Sequence, residues 1–134
     1  MQIASELPKI KTLRIFVVEN HADTLLSLRL YLQDSGHEVH TAMTIDQALP
    51  LLAKVSCDVL ICDIGLPDGT GWDLMRKAPE GIFAIAMSGF GMNADSVRSR
   101  AAGFRHHLLK PFKAAELDKL LAEAAAEVKD RDRP

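Results

Sequence analysis

The sequence is poor in cysteine and in aromatic residues, and it has no excess of either charge. Its 134 residues include 2 cysteines, 1 tryptophan and 1 tyrosine, and 16 basic residues face 18 acidic ones. Cys57 and Cys62 bracket one apolar run and cannot pair with each other across a turn, so they are expected to be small buried hydrophobes. Balanced charge without a basic cluster argues against nucleic acid or an anionic membrane as a direct partner.

Long hydrophobic runs are also missing. The apolar stretches are far shorter than the roughly 20 residues that span a bilayer, and the amino terminus lacks the apolar core of a signal peptide. We therefore expect a cytoplasmic protein. The length suits one domain with a full core. We place this domain at residues 13–129, after an N-terminal lead or linker (1–12) and before a C-terminal tail (130–134).

Apolar runs and helical patterns alternate along the whole chain. Strands are predicted at 13–19, 38–42, 59–63, 82–88 and 106–110. Helices are predicted at 22–35, 44–55, 72–78, 93–102 and 114–129. Five strands alternating with five helices predict an α/β fold with a doubly wound parallel sheet. Right-handed crossovers then bring the carboxyl ends of all strands to one edge.

The stretch VLICDIGLPDGTG, residues 59–71, ends an apolar strand on Asp63 and continues into a loop with one proline and three glycines. A strand without polar alternation is covered on both faces, so this carboxylate is delivered to the edge where ligands collect in such sheets. The carboxyl ends of the other strands supply four more polar residues: Glu19, Asn20, Ser88 and Lys110.

These side chains suit a divalent cation and a phosphoryl group carried on a carboxylate. Asp63 would be the nucleophile, because an aspartyl phosphate divides phosphoryl transfer into two easier steps. Lys110 and the hydroxyl of Ser88 would neutralise and hydrogen-bond the phosphoryl oxygens. Magnesium keeps several waters and needs few protein oxygens. Its candidate ligands are Glu19, Asn20, Asp63 and the carbonyl of Gly65.

At these motifs the sequence resembles the receiver domain of bacterial two-component response regulators and hybrid histidine kinases, over residues 13 to about 128. The segments that carry the resemblance are VVEN, CDIGLPDGTG, AMSG and LLKPF. The resemblance implies a flavodoxin-like sheet of strand order 2-1-3-4-5. It also implies that Asp63 is the phosphoacceptor, that Ser88 and Lys110 bind the phosphoryl group, and that magnesium is the cofactor.

The resemblance further implies partners and moving parts. A histidine kinase or a histidine phosphotransfer domain would supply the phosphoryl group, and phosphorylation would allow a homodimer. Ser88 and His107 would act as the switch residues, and the peptide bond between Lys110 and Pro111 would be cis. Such a domain is a regulatory phosphoacceptor that assists its own phosphorylation and dephosphorylation, and it is not an enzyme in the ordinary sense.

One position departs from the family pattern, because Asn20 stands where a second carboxylate is usual. A unit charge about 4 Å from another contributes up to roughly 4 kcal/mol at an effective dielectric near 20, so magnesium should bind more weakly here. Asn20 is also the one support for an alternative function, a receiver that is not phosphorylated and serves as a protein-interaction module. A hydrolase of the aspartyl-phosphate type is disfavoured, since Gly65 stands where its acid-base aspartate would be needed.

The first predicted helix has two apolar faces. Leu25, Leu28 and Leu32 share the face that can serve the core, whereas Leu26 and Leu30 fall nearly opposite. An outward pair of leucines near the active edge is less common than single exposed leucines. In the family, phosphodonor domains dock against this helix and the loop after the fifth strand, so Leu26 and Leu30 are a candidate docking patch. Partial burial by a neighbouring segment is an alternative of equal weight.

Several other polar residues receive no site role. Four histidines lack the spacing of metal ligands and are assigned to the surface or to packing: His21, His37, His40 and His106. Asp68 and Asp73 are interpreted as loop and helix-start residues. Trp72 is expected to be a packing anchor at the third helix.

Overall fold

A parallel sheet lies between two layers of helices. The computed structural model describes residues 12–89 and 95–131. The strands are β1 (Arg14–Val18), β2 (Glu38–Ala42), β3 (Val59–Asp63), β4 (Phe83–Ser88) and β5 (His106–Leu109). The helices are α1 (Ala22–Asp34), α2 (Ile45–Lys54), α3 (Gly71–Lys77), α4 (Asp95–Ala102) and α5 (Ala114–Arg131). The predicted start of the fourth helix at residue 93 lies outside the described residues.

The strand order is β2-β1-β3-β4-β5, and every pair of neighbours is parallel. This confirms the doubly wound, flavodoxin-like arrangement. β3 occupies the centre and all five of its residues are buried, which explains its unbroken apolar run. The chain reverses its direction of winding between β1 and β3, and ligands bind at such a point in open α/β sheets.

Alternate residues of each strand enter two separate cores, as the two-residue period of a strand requires. In β1, Ile15 and Val17 pack with α1 and α5 on one face of the sheet, whereas Phe16 and Val18 pack with α2 and α3 on the other. Both cores hold β3 in place. The residue that ends this strand is therefore fixed from both sides.

A short antiparallel ladder follows β3, and its two strands of two residues each were not predicted. Gly65–Leu66 pairs with Gly69–Thr70, and the turn between them carries Asp68. The carboxylate of Asp68 accepts hydrogen bonds from the backbone N–H groups of Ile45 (2.9 Å) and Asp46 (3.0 Å) at the start of α2. The loop after the phosphoacceptor candidate is thus tied to a helix on one face of the sheet.

The starts of α2 and α3 follow ordinary capping chemistry. Thr44 accepts from the N–H of Gln47 at 3.1 Å and so caps the start of α2. Thr70 and Asp73 form a reciprocal capping box at α3. Gly71 begins α3 directly against the strand end, and a Cβ at this position would lie 2.6 Å from the carbonyl oxygen of Asp63. Only glycine permits this approach.

Both cysteines lie where the sequence placed them, in and next to β3. Burial raises the pKa of Cys57 to about 12 and also raises the pKa of the fully buried Cys62. Cys62 is thus a small buried hydrophobe as predicted, whereas Cys57 is only partly buried and donates its S–H to the carbonyl of Val59. Among the described residues, no helix combines the length and the apolar character needed to cross a membrane.

Candidate functional site

Three charged side chains meet at the carboxyl edge of the sheet. Glu19 follows β1, Asp63 ends β3 and Lys110 follows β5. The ammonium of Lys110 donates to Asp63 Oδ2 at 2.8 Å and to Glu19 Oε1. Glu19 is fully buried and Asp63 is 6% exposed. The fold therefore brings together three residues that lie 44 or more positions apart in the sequence, as the sequence analysis predicted.

The second oxygen of each carboxylate is held by local backbone. Asp63 Oδ1 accepts from the N–H of Gly65 at 3.1 Å. Glu19 Oε2 accepts from the N–H of His21 at 3.1 Å and lies 3.1 Å from Nδ1 of the same histidine. Each carboxylate is thus fixed on one side by Lys110 and on the other by the turn that follows its strand.

The electrostatics of the three groups are unbalanced. Burial raises the pKa of Asp63, and the negative charge of Glu19 adds to this, while Lys110 opposes it only in part. Burial also acts to raise the pKa of Glu19, but hydrogen bonds from Lys110 and His21 outweigh it and lower that pKa. Burial acts to lower the pKa of Lys110, yet its two carboxylate partners raise it. The two carboxylates of this cluster therefore share one ammonium, and their pKa values are shifted in opposite directions.

The donor atoms at this edge fit a hard divalent cation. One atom from each of Glu19, His21 and Asp63 lies within 4.8 Å of the others. The side-chain oxygen of Asn20 is buried and has no hydrogen-bond partner among the described residues. Buried acceptors without a partner are rare in folded proteins, and carboxylate and amide oxygens are the ligands that magnesium prefers. The predicted donor set thus has an unused oxygen at the position where the sequence departs from the family.

His21 is the residue that the sequence analysis missed at this site. Its side chain is 70% exposed, in keeping with the surface role assigned to it, but its ring contacts Glu19. No ligand spacing could reveal this contact, because it arises from the tight turn between β1 and α1. Its position directly after Glu19 and Asn20 was the available signal. For Gly65, the structure describes the N–H bond to Asp63, and its role as a carbonyl ligand stays a prediction.

Ser88 lies at the same edge and contacts the predicted switch histidine. Ser88 is fully buried, and its Oγ lies 2.5 Å from Nε2 of His107. The peptide bond between Lys110 and Pro111 is cis. The sequence predicted Ser88 and His107 as switch residues. It did not predict that their side chains are in contact in the unphosphorylated protein. Their role as a switch stays a prediction.

The outward leucines of α1 are exposed, as predicted. Leu26 is 45% and Leu30 is 54% exposed. An apolar groove lies between α1 and the segment after β5, beside Lys110. Neither Leu26 nor Leu30 lines this groove. Its α1 side includes Leu28 and Tyr31, and its other side includes Phe112. The leucine pair and this groove occupy different faces of α1, so a partner docked on this helix has two apolar surfaces to use.

Comparison with known proteins agrees with this geometry. The family model described as the response regulator receiver domain matches residues 15–122. The transcriptional regulatory protein KdpE of Mycobacterium tuberculosis is 32% identical over 117 residues, which cover 86% of this chain and 50% of KdpE. The virulence sensor protein BvgS of Bordetella bronchiseptica is 34% identical over 125 residues, which cover 86% of this chain and 10% of BvgS.

Two further similar proteins are close to this chain in length. An uncharacterized 14.6 kDa protein of Leptolyngbya boryana is 32% identical, over 81% of this chain and 87% of its own. The crystal structure of a CheY-like receiver domain protein from Methanospirillum hungatei superposes with a TM-score of 0.83 at 27% identity, over 90% of this chain and 99% of that one. The chain thus spans about half of KdpE and a tenth of BvgS, but nearly all of these two proteins.

Proposed function

This chain belongs to the response regulator receiver domain family, and from that premise we propose that Asp63 accepts a phosphoryl group from a phosphohistidine. In the transfer, the phosphorus–nitrogen bond of the donor breaks as a carboxylate oxygen of Asp63 bonds to phosphorus, and the donor imidazole leaves. The observation that carries the proposal is the buried carboxylate of Asp63, held 2.8 Å from the ammonium of Lys110 at the end of the central strand.

Each neighbour of Asp63 has a role in this transfer. Lys110 would stabilise the negative charge on the phosphoryl oxygens, because its ammonium already lies beside the accepting carboxylate. Ser88 would donate its hydroxyl proton to another of these oxygens. The N–H of Gly65 holds Asp63 Oδ1, which fixes the carboxylate plane during the attack. Positioning of the reacting groups and electrostatic stabilisation account for most of the catalysis in such transfers, so the protein needs few groups that react covalently.

Magnesium is the proposed cofactor, and it would be held by Glu19, Asn20, Asp63 and the carbonyl of Gly65. When bound, it would supply positive charge that stabilises the phosphoryl group on Asp63. The buried, unpartnered oxygen of Asn20 supports this ligand set. The same residue carries no charge, so we expect the affinity for magnesium to be lower than a carboxylate would give.

The direct test is intact-mass detection of phosphorylation by acetyl phosphate. We expect a magnesium-dependent adduct of one phosphoryl group on the wild-type protein, and we expect no adduct on Asp63→Asn. Asp58→Asn is the matched control, because Asp58 is equally buried at the opposite end of the same strand. If the wild type stays unmodified at high magnesium concentration, the proposal is wrong and the protein-interaction module is favoured.

We also propose that Leu26 and Leu30 dock the phosphodonor domain. Exposed leucines one helical turn apart offer an apolar stripe to a partner helix, and the groove on another face of α1 offers a second apolar surface beside Lys110. The double variant Leu26→Ser with Leu30→Ser should slow phosphorylation by a phosphorylated histidine phosphotransfer domain several-fold. Its labelling by acetyl phosphate should not change. Leu51→Ser is the control, because it replaces an exposed leucine on a different helix, α2. This variant should accept the phosphoryl group at the wild-type rate.

Unchanged transfer in the double leucine variant would remove this docking patch while leaving the phosphoacceptor role of Asp63 intact. Equal slowing by Leu51→Ser would show a general effect of surface hydrophobicity instead. A homodimer on phosphorylation stays a prediction.

A further inference from the structure

A chain of hydrogen bonds leads from Ser88 away from the carboxyl edge and into the second layer of helices. Oγ of Ser88 lies 2.5 Å from Nε2 of His107, and Nδ1 of His107 lies 3.0 Å from Oγ of Ser99. Nε1 of Trp72 donates to the same Ser99 oxygen at 2.9 Å. Four side chains on β4, β5, α4 and α3 are thus joined in one line.

The burial of this line makes its hydrogen bonds obligatory. Ser88 and Ser99 are at most 1% exposed, and Trp72 is 4% exposed. A buried hydroxyl or indole N–H without a partner costs about 1–3 kcal/mol, so each group must keep its bond in the folded protein. The guanidinium of Arg98 covers the Trp72 ring at 4.0 Å and adds a further contact that holds the indole.

The chemistry of tryptophan fixes the direction of the hydrogen bond at one end of this line. An indole N–H can only donate, so Ser99 accepts from Trp72. Among the described residues, Nδ1 of His107 is then an acceptor for the single Ser99 proton. A neutral histidine that accepts at Nδ1 carries its proton on Nε2 and can donate it to Ser88. In the opposite direction Ser99 would accept from both Trp72 and His107, and Ser88 would donate its proton to His107.

We propose that Ser99 and Trp72 are positioning residues that hold His107 in the Nε2–H tautomer and so keep the hydroxyl proton of Ser88 free for a phosphoryl oxygen on Asp63. The inference rests on the proposed function, because it explains why the hydroxyl of Ser88 is available as a hydrogen-bond donor in that transfer. Ser88 accepts from His107, so its own proton is not used in this line. In the other tautomer, Ser88 would spend that proton on His107.

The same line joins the site to two helices. If Ser88 moves toward a phosphoryl group, its bond to His107 must lengthen or His107 must follow. In the second case the bond to Ser99 is strained, and α4 and Trp72 of α3 lose their link to β5. The state of Asp63 is thereby communicated to the surface that α3 and α4 share, through two residues that the sequence had assigned no part in signalling.

The tautomer can be measured directly by long-range proton–nitrogen NMR of the His107 ring. At pH 8, well above the ordinary histidine pKa of about 6.5, we expect the Nε2–H form in the unphosphorylated wild type. Ser99→Ala and Trp72→Phe should each shift the ring toward the Nδ1–H form, because each removes a bond that sets the direction. Ser96→Ala, an exposed position on the same helix, should not.

A predominant Nδ1–H form or a doubly protonated ring in the wild type would overturn the proposal. An unchanged Nε2–H form in both folded variants would also overturn it. Trp72→Phe keeps most of the packing, so it serves if Ser99→Ala does not fold. This measurement needs no phosphorylation, so it stands even if the wild type is never labelled and the proposed function fails.

A kinetic cycle separates positioning from a general structural effect. Labelling by acetyl phosphate should be about 2- to 10-fold slower in Ser99→Ala, the range that one hydrogen bond supplies. In a Ser88→Ala background, Ser99→Ala should cause no further slowing, because the hydroxyl that it positions is gone. Equal slowing in both backgrounds would contradict the proposal.

Discussion

The central strand β3 has an aspartate at each end, and the two carboxylates have opposite surroundings. Asp58, just before the strand, is 2% exposed, and Asp63, its last residue, is 6% exposed. Asp58 accepts from the backbone N–H of Arg14 at 2.8 Å and from two nitrogens of its guanidinium at 3.2 and 3.0 Å. Asp63 shares the single ammonium of Lys110 with Glu19.

The difference lies in the groups that bind each carboxylate, and burial does not distinguish the two ends. At the amino end, the guanidinium of Arg14 binds both oxygens of the Asp58 carboxylate. At the carboxyl end, two carboxylates share one ammonium, and the amide oxygen of Asn20 is buried with no hydrogen-bond partner in the described part of the chain. The first arrangement stabilises the fold, and the second is suited to binding something positive. These neighbours therefore favour Asp63 over Asp58 as the proposed phosphoacceptor.

The largest effect that would test this comparison is on folding stability. Asp58→Ala should lower the free energy of unfolding by about 3 kcal/mol, because it removes a buried carboxylate that accepts from the Arg14 N–H and pairs with its guanidinium. Asp63→Ala should stay within about 1 kcal/mol of wild type, since it also relieves repulsion with Glu19. Urea unfolding at pH 7 measures both. A larger loss for Asp63→Ala would reverse the roles of the two ends.

A second effect concerns the backbone at the carboxyl end. Gly71→Ala should destabilise the protein by about 2 kcal/mol, because the new Cβ would press on the carbonyl of Asp63 at 2.6 Å. Gly65→Ala should cost less than about 1 kcal/mol, since no atom lies within 4 Å of its Cβ position. Thermal unfolding of the two variants makes the comparison. Similar melting temperatures for both would show that the loop yields to the added methyl group.

A third effect would sharpen the charge imbalance itself. Asn20→Asp adds a carboxylate to the carboxyl end, and we expect it to bind magnesium about 10-fold more tightly, or ~1.4 kcal/mol. Part of the Coulomb gain is lost because the added charge also repels Glu19 and Asp63 without the metal. Calorimetric titration with magnesium measures the ratio. Equal affinities would contradict the role assigned to Asn20.

The smallest expected effect is a pH dependence of folding stability, at His37 beside the start of β1. Nδ1 of His37 accepts from the N–H of Leu13 at 3.1 Å, and burial lowers the pKa of His37 although Asp118 partly opposes this. The unfolded chain therefore binds a proton at higher pH than the folded one. The free energy of unfolding should fall, by under about 1 kcal/mol, as pH drops through about 6.5 toward the lower folded pKa.

His37→Asn keeps an acceptor that does not titrate, so the loss of stability between pH 6.5 and 5 should be smaller in this variant. Urea unfolding at several pH values measures the slope. An unchanged slope would show that another group causes the acid sensitivity.

Much of this fold could be predicted because the sequence patterns are strong. The unbroken apolar run before Asp63 predicted the central strand, and the alternation of strands and helices predicted the doubly wound sheet that the structure shows. Asp63, Glu19 and Lys110 could be placed at one edge because topology alone brings strand ends together. The hydrogen bonds from Lys110 to Asp63 and Glu19 were not predicted, because shared placement at an edge does not specify which side chains pair.

The missed features share a physical cause, which is that their contacts have no sequence period. The ladder after β3 has two residues in each strand, too few to show alternation. Ser99 and Trp72 lie 27 positions apart, and only the packing of α3 against α4 brings them together. Trp72 does pack in the core as expected, but its N–H could not be assigned a partner from the sequence.

The hydrogen bonds of the loop between β3 and α3 constrain the number of residues in that loop. It is tied at Gly65 to the carboxylate of Asp63, at Asp68 to the start of α2, and at Thr70 to α3. An inserted or deleted residue would break at least one of these ties. We therefore expect evolution to vary the composition of this loop but to leave its number of residues unchanged, so that its length works as a ruler for aligning this chain with its relatives.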